Sequence, residues 1–376
     1  MSAPPTASAQ PQWWRRPGWR RAFRFARYVI GLGLAALAFV VVFGRRDELA
    51  GAGSYLARLS WPWLVVAVVV EGASLAAFGG LQRCLLRAGG VPVRLGAMTA
   101  VALAGNSINN SLPAGPLFAS AFAFRQFRRR GADDTLAAWV LVGTTVLAAA
   151  ALAIVASVGL GLAGSQGSAL GIVEPILLSL AVALAAVLLL RRPGILAGPA
   201  RASLRAVQAL VHRPKGDAPS LVQRLVARIQ AVTPGGRRLA EGMAWALSNW
   251  VLDCACLAAS FGVVGAPVPW RALLLAYGAG QLAANLPITP GGLGVVEGSL
   301  TIALVAFGGQ EGVTVAAVLV YRIISFWVSL PVGWIAWAGL TASARATDRR
   351  SHQAHADESG CGDAEGQAQP FRTATP

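Results

Sequence analysis

Asn285-Leu286-Pro287-Ile288-Thr289-Pro290-Gly291-Gly292-Leu293-Gly294-Val295-Val296-Glu297-Gly298 lies between two apolar runs, yet it carries what a smooth membrane helix avoids. Pro287 and Pro290 remove backbone donors and break a helix. Gly291, Gly292, Gly294 and Gly298 let the chain turn tightly and let other groups approach its backbone. A carboxylate, Glu297, follows at once. Irregular backbone at membrane depth persists only where it is buried in protein or lines a wet cavity. The stretch therefore predicts a broken, re-entrant helix that forms part of a polar site inside the bilayer.

The rest of the chain supplies the membrane context. Of 376 residues, 55% are hydrophobic and only 13% charged, against about a quarter charged in soluble domains. The mean hydropathy is +0.58. Apolar segments recur from Tyr28 to Leu340. The expected organisation is one membrane domain, 28–342, between a basic-aromatic N-terminal tail, 1–27, and a polar, disordered C-terminal tail, 343–376. The net charge of +16 is almost wholly arginine and sits in the loops between apolar spans. That placement argues for orientation in the membrane and attraction to anionic lipid, and against nucleic-acid binding. Arg20-Arg21 ahead of an apolar run resembles a twin-arginine export signal. The many later spans, and the lack of a small-residue cleavage site near Arg45-Arg46, favour a retained span instead. His212, His352 and His355 fall in loop or tail, and Cys254 and Cys256 point to different helix faces, so neither metal nor cofactor is expected.

Full spans are expected near 28–43, 62–81, 136–162, 171–190, 239–264 and 313–340. Two further apolar stretches are broken. The first, 95–124, contains Asn106, Asn109, Asn110 and then Ser111-Leu112-Pro113-Ala114-Gly115-Pro116, with only eight residues between Pro116 and Arg125. A crossing needs about 20 helical residues, so this stretch dips in and returns, or forms two short tilted helices. The second, 272–308, is broken at the opening stretch. With the N-terminus cytoplasmic, 27 of the 32 lysines and arginines fall on the cytoplasmic side, including those of the loop 191–238. This is a strong positive-inside signal, and it places both termini in the cytoplasm. Residues 28–162 and 171–340 then repeat one order of span, span, broken hairpin and long span. Three crossings separate the hairpins, and an odd number inverts a unit. The expected fold is an all-α polytopic membrane protein with an inverted-topology repeat, six full spans and two re-entrant or broken helical hairpins.

Four ionisable residues fall within the spans: Glu71, Asp253, Glu297 and Arg322. Each costs roughly 2.5–3.5 kcal/mol or more if left facing lipid, so each should meet a partner or water. One arrangement is an ion pair of Glu297 with Arg322 that pins two helices. The other has Arg322 holding a substrate phosphate while Glu71, Asp253 or Glu297 serves proton or charge coupling. The half-helix after Gly291-Gly292 would begin with unpartnered N–H groups that favour an anion. Asn106, Asn109, Asn110, Asn249, Gln281 and Asn285 cluster beside the breaks and raise the prospect of a hydrated cavity. No paired acids are legible near the breaks, and Asp133-Asp134 reads as a helix N-cap.

Pro287–Gly298, followed by Tyr321-Arg322 and Gly333, resembles the lysylphosphatidylglycerol synthase transmembrane region, as does Asn110-Ser111-Leu112-Pro113-Ala114-Gly115 followed by Arg125–Gly131. The resemblance covers roughly 25–342. It implies a polytopic flippase-like domain, which in the bifunctional synthases moves aminoacylated phosphatidylglycerol between leaflets. Those synthases continue into a large soluble aminoacyltransferase domain, whereas this sequence continues only with 343–376, so enzymatic synthesis is not expected. The expected function is a flippase of the inner or plasma membrane that moves an anionic, aminoacylated or polyprenyl-linked lipid through a polar cavity. The substrate-binding set would be Asn106, Asn110, Pro113, Gly115, Asn285, Pro287, Pro290, Gly291, Gly292, Gly294, Glu297, Tyr321 and Arg322. The alternatives are an intramembrane lipid-modifying transferase, or a non-transporting partner that docks a cytoplasmic lipid-modifying enzyme through 191–238.

Overall fold

Hydrocarbon offers a backbone no hydrogen-bond partners, so a chain that enters it satisfies its own N–H and C=O groups as helix. The computed structural model describes residues 59–112, 114–164, 170–191, 235–284 and 290–343, and every regular element among them is helical. The expected first span at 28–43, both tails and most of the 191–238 loop lie outside these residues.

The helices are α1 (Trp61–Ala88), α2 (Leu95–Ser111), α3 (Gly115–Arg128), α4 (Asp134–Gly164), α5 (Leu170–Arg191), α6 (Gly236–Val263), α7 (Trp270–Ala284), α8 (Val295–Ala306) and α9 (Glu311–Arg322). α9 runs on through a π-helical turn at Ile323–Val328 as far as Ser343. Five of these, α1, α4, α5, α6 and the extended α9, are long and apolar enough to cross a membrane. They match the five expected spans that fall within the described residues. The chain is thus a multi-pass membrane protein.

The two broken stretches form helix pairs, α2–α3 and α7–α8. Their members have 17, 14, 15 and 12 residues, each short of the ~20 needed to cross. Ala114 makes the first turn in a left-handed conformation, φ 55°. Gly115 follows it because a Cβ there would collide with the backbone of Asn109. Asp133 caps α4 as expected, its Oδ1 accepting the Leu136 N–H at 2.7 Å.

The most extensive helix contact is between α1 and α6. It is antiparallel: the Ser60 N–H donates to Val263 O, the Ser74 hydroxyl to Asn249 O, and the Cys84 thiol faces Arg238 O. The seam is also reciprocal. Trp63 of α1 lies over Gly262 of α6, and Trp245 of α6 lies over Gly80 of α1. Both helices carry one pattern at one spacing, Trp63, Glu71, Gly80 and Trp245, Asp253, Gly262, with Glu71-Gly-Ala-Ser-Leu-Ala-Ala matching Asp253-Cys-Ala-Cys-Leu-Ala-Ala. The outer helices cross over in the same reciprocal way. α4 packs on α7, with Gly159 against the Leu274–Leu275 backbone. The extended α9 packs on α2, with Gly333 against Leu103 and Ser107. A core of Leu81, Leu85, Met98, Phe127, Trp139 and Leu147 fills the arginine-rich end of the bundle. α5 packs chiefly on α4. Only 11% of its apolar stretch is buried, against 39–56% for the other four.

These close approaches give a stability prediction. A Cβ at Gly159 would stand 2.5 Å from Leu275 N, whereas one at Gly72 meets nothing within 4 Å. Gly159→Ala is expected to cost about 1–3 kcal/mol by overpacking. Gly72→Ala should be neutral or stabilise by up to about 1 kcal/mol through helix propensity. Thermal unfolding of the two variants in detergent micelles, followed by tryptophan fluorescence, measures the difference.

Candidate functional site

The second break is built around three glycines. Pro290–Gly292 forms a single 3-10 turn, and Gly291, Gly292 and Gly294 have φ of 62°, 68° and 80°. A side chain at Gly291 would in addition run into the ring of Phe326. The end of α2 also reaches this turn, and Asn110 O lies 3.3 Å from where a Gly291 Cβ would be. The first hairpin and the second break therefore meet.

Arg322 closes the break from α9. Its Nε donates to Glu297 Oε1 at 2.6 Å, and Nη2 donates to Gly291 O at 3.1 Å. Its guanidinium stacks 4.7 Å from the centre of the Phe326 ring. The π-helical turn that begins at Ile323 brings Phe326 beneath it. Glu297 also bonds within its own helix, where its Oε2 accepts the Gly294 N–H at 2.6 Å. At the start of α8, expected to attract an external anion, the helix's own third-position carboxylate takes the Gly294 N–H. That is a capping interaction, and it also suits the helix dipole. The Arg322 and Glu297 side chains are 10% and 22% exposed.

Asn106, Asn109 and Asn110 form a chain along α2. Asn109 donates to Asn110, and Asn110 donates to Asn106, both at 3.2 Å. Asn106 donates to the Ser329 hydroxyl at 3.3 Å. Ser107 donates to Leu330 O at 2.9 Å. This polar edge holds α2 to the segment of α9 just past the π turn. Pro113, Asn285 and Pro287 lie outside the described residues, and only the backbone of Pro290 falls within them.

A second polar centre lies where α1, α6, α7 and α9 converge. Asp253 Oδ2 accepts from the Tyr277 hydroxyl at 2.6 Å and from Gln281 Nε2 at 3.2 Å. Its Oδ1 accepts from the Tyr321 hydroxyl at 2.9 Å. Tyr277 and Tyr321 are fully buried, and Glu71 is 7% exposed. Glu71 and Asp253 interact directly, carboxyl to carboxyl. This corrects the expectation that no acids pair near the breaks: their 182-residue separation hid a pairing that the antiparallel seam creates. Tyr277 was missed as well. Its signal was the spacing to Gln281, which puts both on one face of α7. Tyr321, expected at the substrate, donates its hydroxyl to Asp253.

Of the expected site, the structure thus brings Gly291, Gly294, Glu297 and Arg322 together, with Asn110 at their edge. Tyr321 links this centre to the second one, since it precedes Arg322 in the chain. A shallow cleft lined by Arg87, Gly90, Val91, Pro92 and Arg238 lies elsewhere. Arg87 is 16 residues from Glu71 along α1, or about 24 Å at 1.5 Å per residue. The cleft adds nothing to the buried network.

A family model described as the lysylphosphatidylglycerol synthase TM region matches residues 28–333. No curated protein matches the chain.

The Glu297–Arg322 pair makes a testable unit. Breaking a buried pair by removing one partner costs about 3–5 kcal/mol, and the partial exposure of Glu297 puts this pair at the low end. Glu297→Gln and Arg322→Gln should each lower the unfolding temperature in micelles. The double variant should lose about 0.5–3 kcal/mol less than the two singles combined.

Proposed function

The chain belongs to the lysylphosphatidylglycerol synthase TM region family, and on that premise we propose that it is a lipid flippase. Its cargo is a lipid with an anionic headgroup, moved between leaflets past the Gly291 break. The observation that carries this reading is the Arg322–Glu297 pair at the point where α2 meets the broken α7–α8 hairpin. Arg322 offers a planar fork that fits a phosphate in two-point contact. Glu297 holds that fork until a headgroup phosphate displaces it, and keeps its hydrogen bond to Gly294 when displaced. An exchangeable counter-ion lets a guanidinium stay in the membrane interior without ever being unpaired.

The antiparallel, reciprocal packing of α1 on α6 supports an inverted repeat. Two units related by an axis in the membrane plane present the same helix in opposite directions, and each packs its long helix on the other's broken hairpin. On that reading α2–α3 and α7–α8 are re-entrant hairpins from opposite sides, the arrangement alternating-access transporters use. Both termini are then cytoplasmic, and the arginine-rich face attracts anionic lipid to the entry side.

A second reading, an intramembrane transferase, would draw on the Glu71–Asp253 pair as acid and base. Asp253 accepts from two tyrosines and a glutamine, contacts that hold it inside the helix bundle instead of presenting it to a substrate. Transport is the reading these contacts favour.

Reconstitution of the full chain into liposomes with fluorescent phosphatidylglycerol, scored by quenching of the outer leaflet, tests the proposal. Leaflet exchange should appear with wild type and fall by about tenfold or more with Arg322→Ala, equivalent to about 1.4 kcal/mol. Glu297→Gln should impair exchange more than alanine at Asn106, Asn109 or Asn110. Absence of exchange for anionic, aminoacylated and polyprenyl-linked probes alike would falsify the flippase reading, and product formed from a labelled lipid donor would install the transferase.

A further inference from the structure

The second polar centre has a chemistry the flippase reading leaves unused. Glu71 and Asp253 occupy equivalent positions in the repeated Trp-Glu/Asp-Gly pattern and face each other across the α1–α6 seam. Their surroundings differ. Asp253 receives three hydrogen bonds, from Tyr277, Gln281 and Tyr321, and is only partly buried. Glu71 is sealed, and no protein donor reaches its buried Oε2. The other titratable or charged groups facing the pair are Cys256 and Cys254 on α6 and Arg322 on α9. Neither thiol supplies a positive charge, and Arg322 is committed to Glu297.

Two ionised carboxylates are acceptors only, so two of them in contact cannot hydrogen-bond to each other. One proton resolves the contact: a neutral Glu71 carboxyl donates to Asp253, whose charge is already stabilised by three donors. We propose that Glu71 and Asp253 form a proton-binding site that couples the flippase to a proton gradient. The proton resides on Glu71. It leaves through Asp253, the partly open member of the pair, to whichever aqueous side that edge faces.

Release changes the charge at this centre by one unit and removes the hydrogen bond from Glu71 to Asp253. It sets two like charges against each other across the seam that joins the two halves. It also strengthens the pull of this centre on Arg322, adjacent in the chain to Tyr321, and so competes with Glu297 for the guanidinium. Proton occupancy thereby determines whether Arg322 stays with Glu297 and Gly291 or lets the break open. This deepens the flippase reading and rests on it for the transport step, while the proton site itself can be tested independently.

The test uses full-length protein in phosphatidylcholine–phosphatidylglycerol nanodiscs and infrared difference spectroscopy against pH. Wild type should show a protonated-carboxyl C=O band that shifts in D2O and disappears at alkaline pH. Glu71→Gln should lack it, and Glu71→Asp should restore it at a shifted midpoint. In liposomes loaded with fluorescent phosphatidylglycerol, wild-type exchange should vary with pH, by at most about tenfold per unit for one linked proton. Glu71→Gln should exchange at a rate independent of pH. A spectrum with no Glu71-dependent band overturns the proton site, as does a band that responds to sodium rather than to pH. A pH response that survives in Glu71→Gln overturns the coupling. If no variant exchanges lipid, the flippase reading and its coupling both fail, while the infrared band still decides the proton site.

Discussion

The antiparallel contact of α1 with α6 is the constraint on which the remaining structure depends. It places small residues opposite tryptophans, Gly262 beneath Trp63 and Gly80 beneath Trp245, so the two backbones approach closely. Without a hydrophobic driving force between helices in lipid, such close packing and interhelical hydrogen bonds are what hold a bundle together. The Ser74–Asn249 bond and the Trp250 indole, which donates to Ala148 O at 2.8 Å, extend the contact to α4. The same seam forces Glu71 and Asp253 together. Packing and electrostatics are thus one problem, and the buried acid pair exists because the helices must meet.

The second centre answers a different demand. A chain that turns back inside a membrane must satisfy the N–H groups that a broken helix exposes. Here Glu297 of the new helix takes the Gly294 N–H, and Arg322 neutralises that carboxylate and binds Gly291 O. Gly291 is confined to glycine twice over, by its φ of 62° and by the Phe326 ring against it. The π-helical turn after Arg322 belongs to the same solution, since it sets Phe326 under the guanidinium. Such turns are often found at functional positions in helices.

The two centres are joined by adjacent residues. Tyr321 bonds Asp253 of α6 and Gln281 of α7, and Arg322 bonds Glu297 of α8, so four helices meet within two successive positions of α9. A change of charge at one centre is felt at the other, because a low-dielectric interior screens little.

Composition by itself determined that the chain is a multi-pass helical membrane protein, and apolar runs located every described span to within a few residues at most boundaries. Pro287–Gly298 announced its own break, because proline and glycine act locally on the backbone. The Glu297–Arg322 pair was also legible, since few ionisable residues fall in apolar spans and opposite charges there must find each other. What only the tertiary structure decided was the company of Asp253. Its three donors and Glu71 come from helices far apart in the chain, and the repeated Trp-Glu/Asp-Gly pattern gains meaning only once α1 and α6 are seen to run antiparallel. Local chemistry shows in the sequence where it acts on neighbouring residues. A site assembled across a seam becomes visible only when the seam forms.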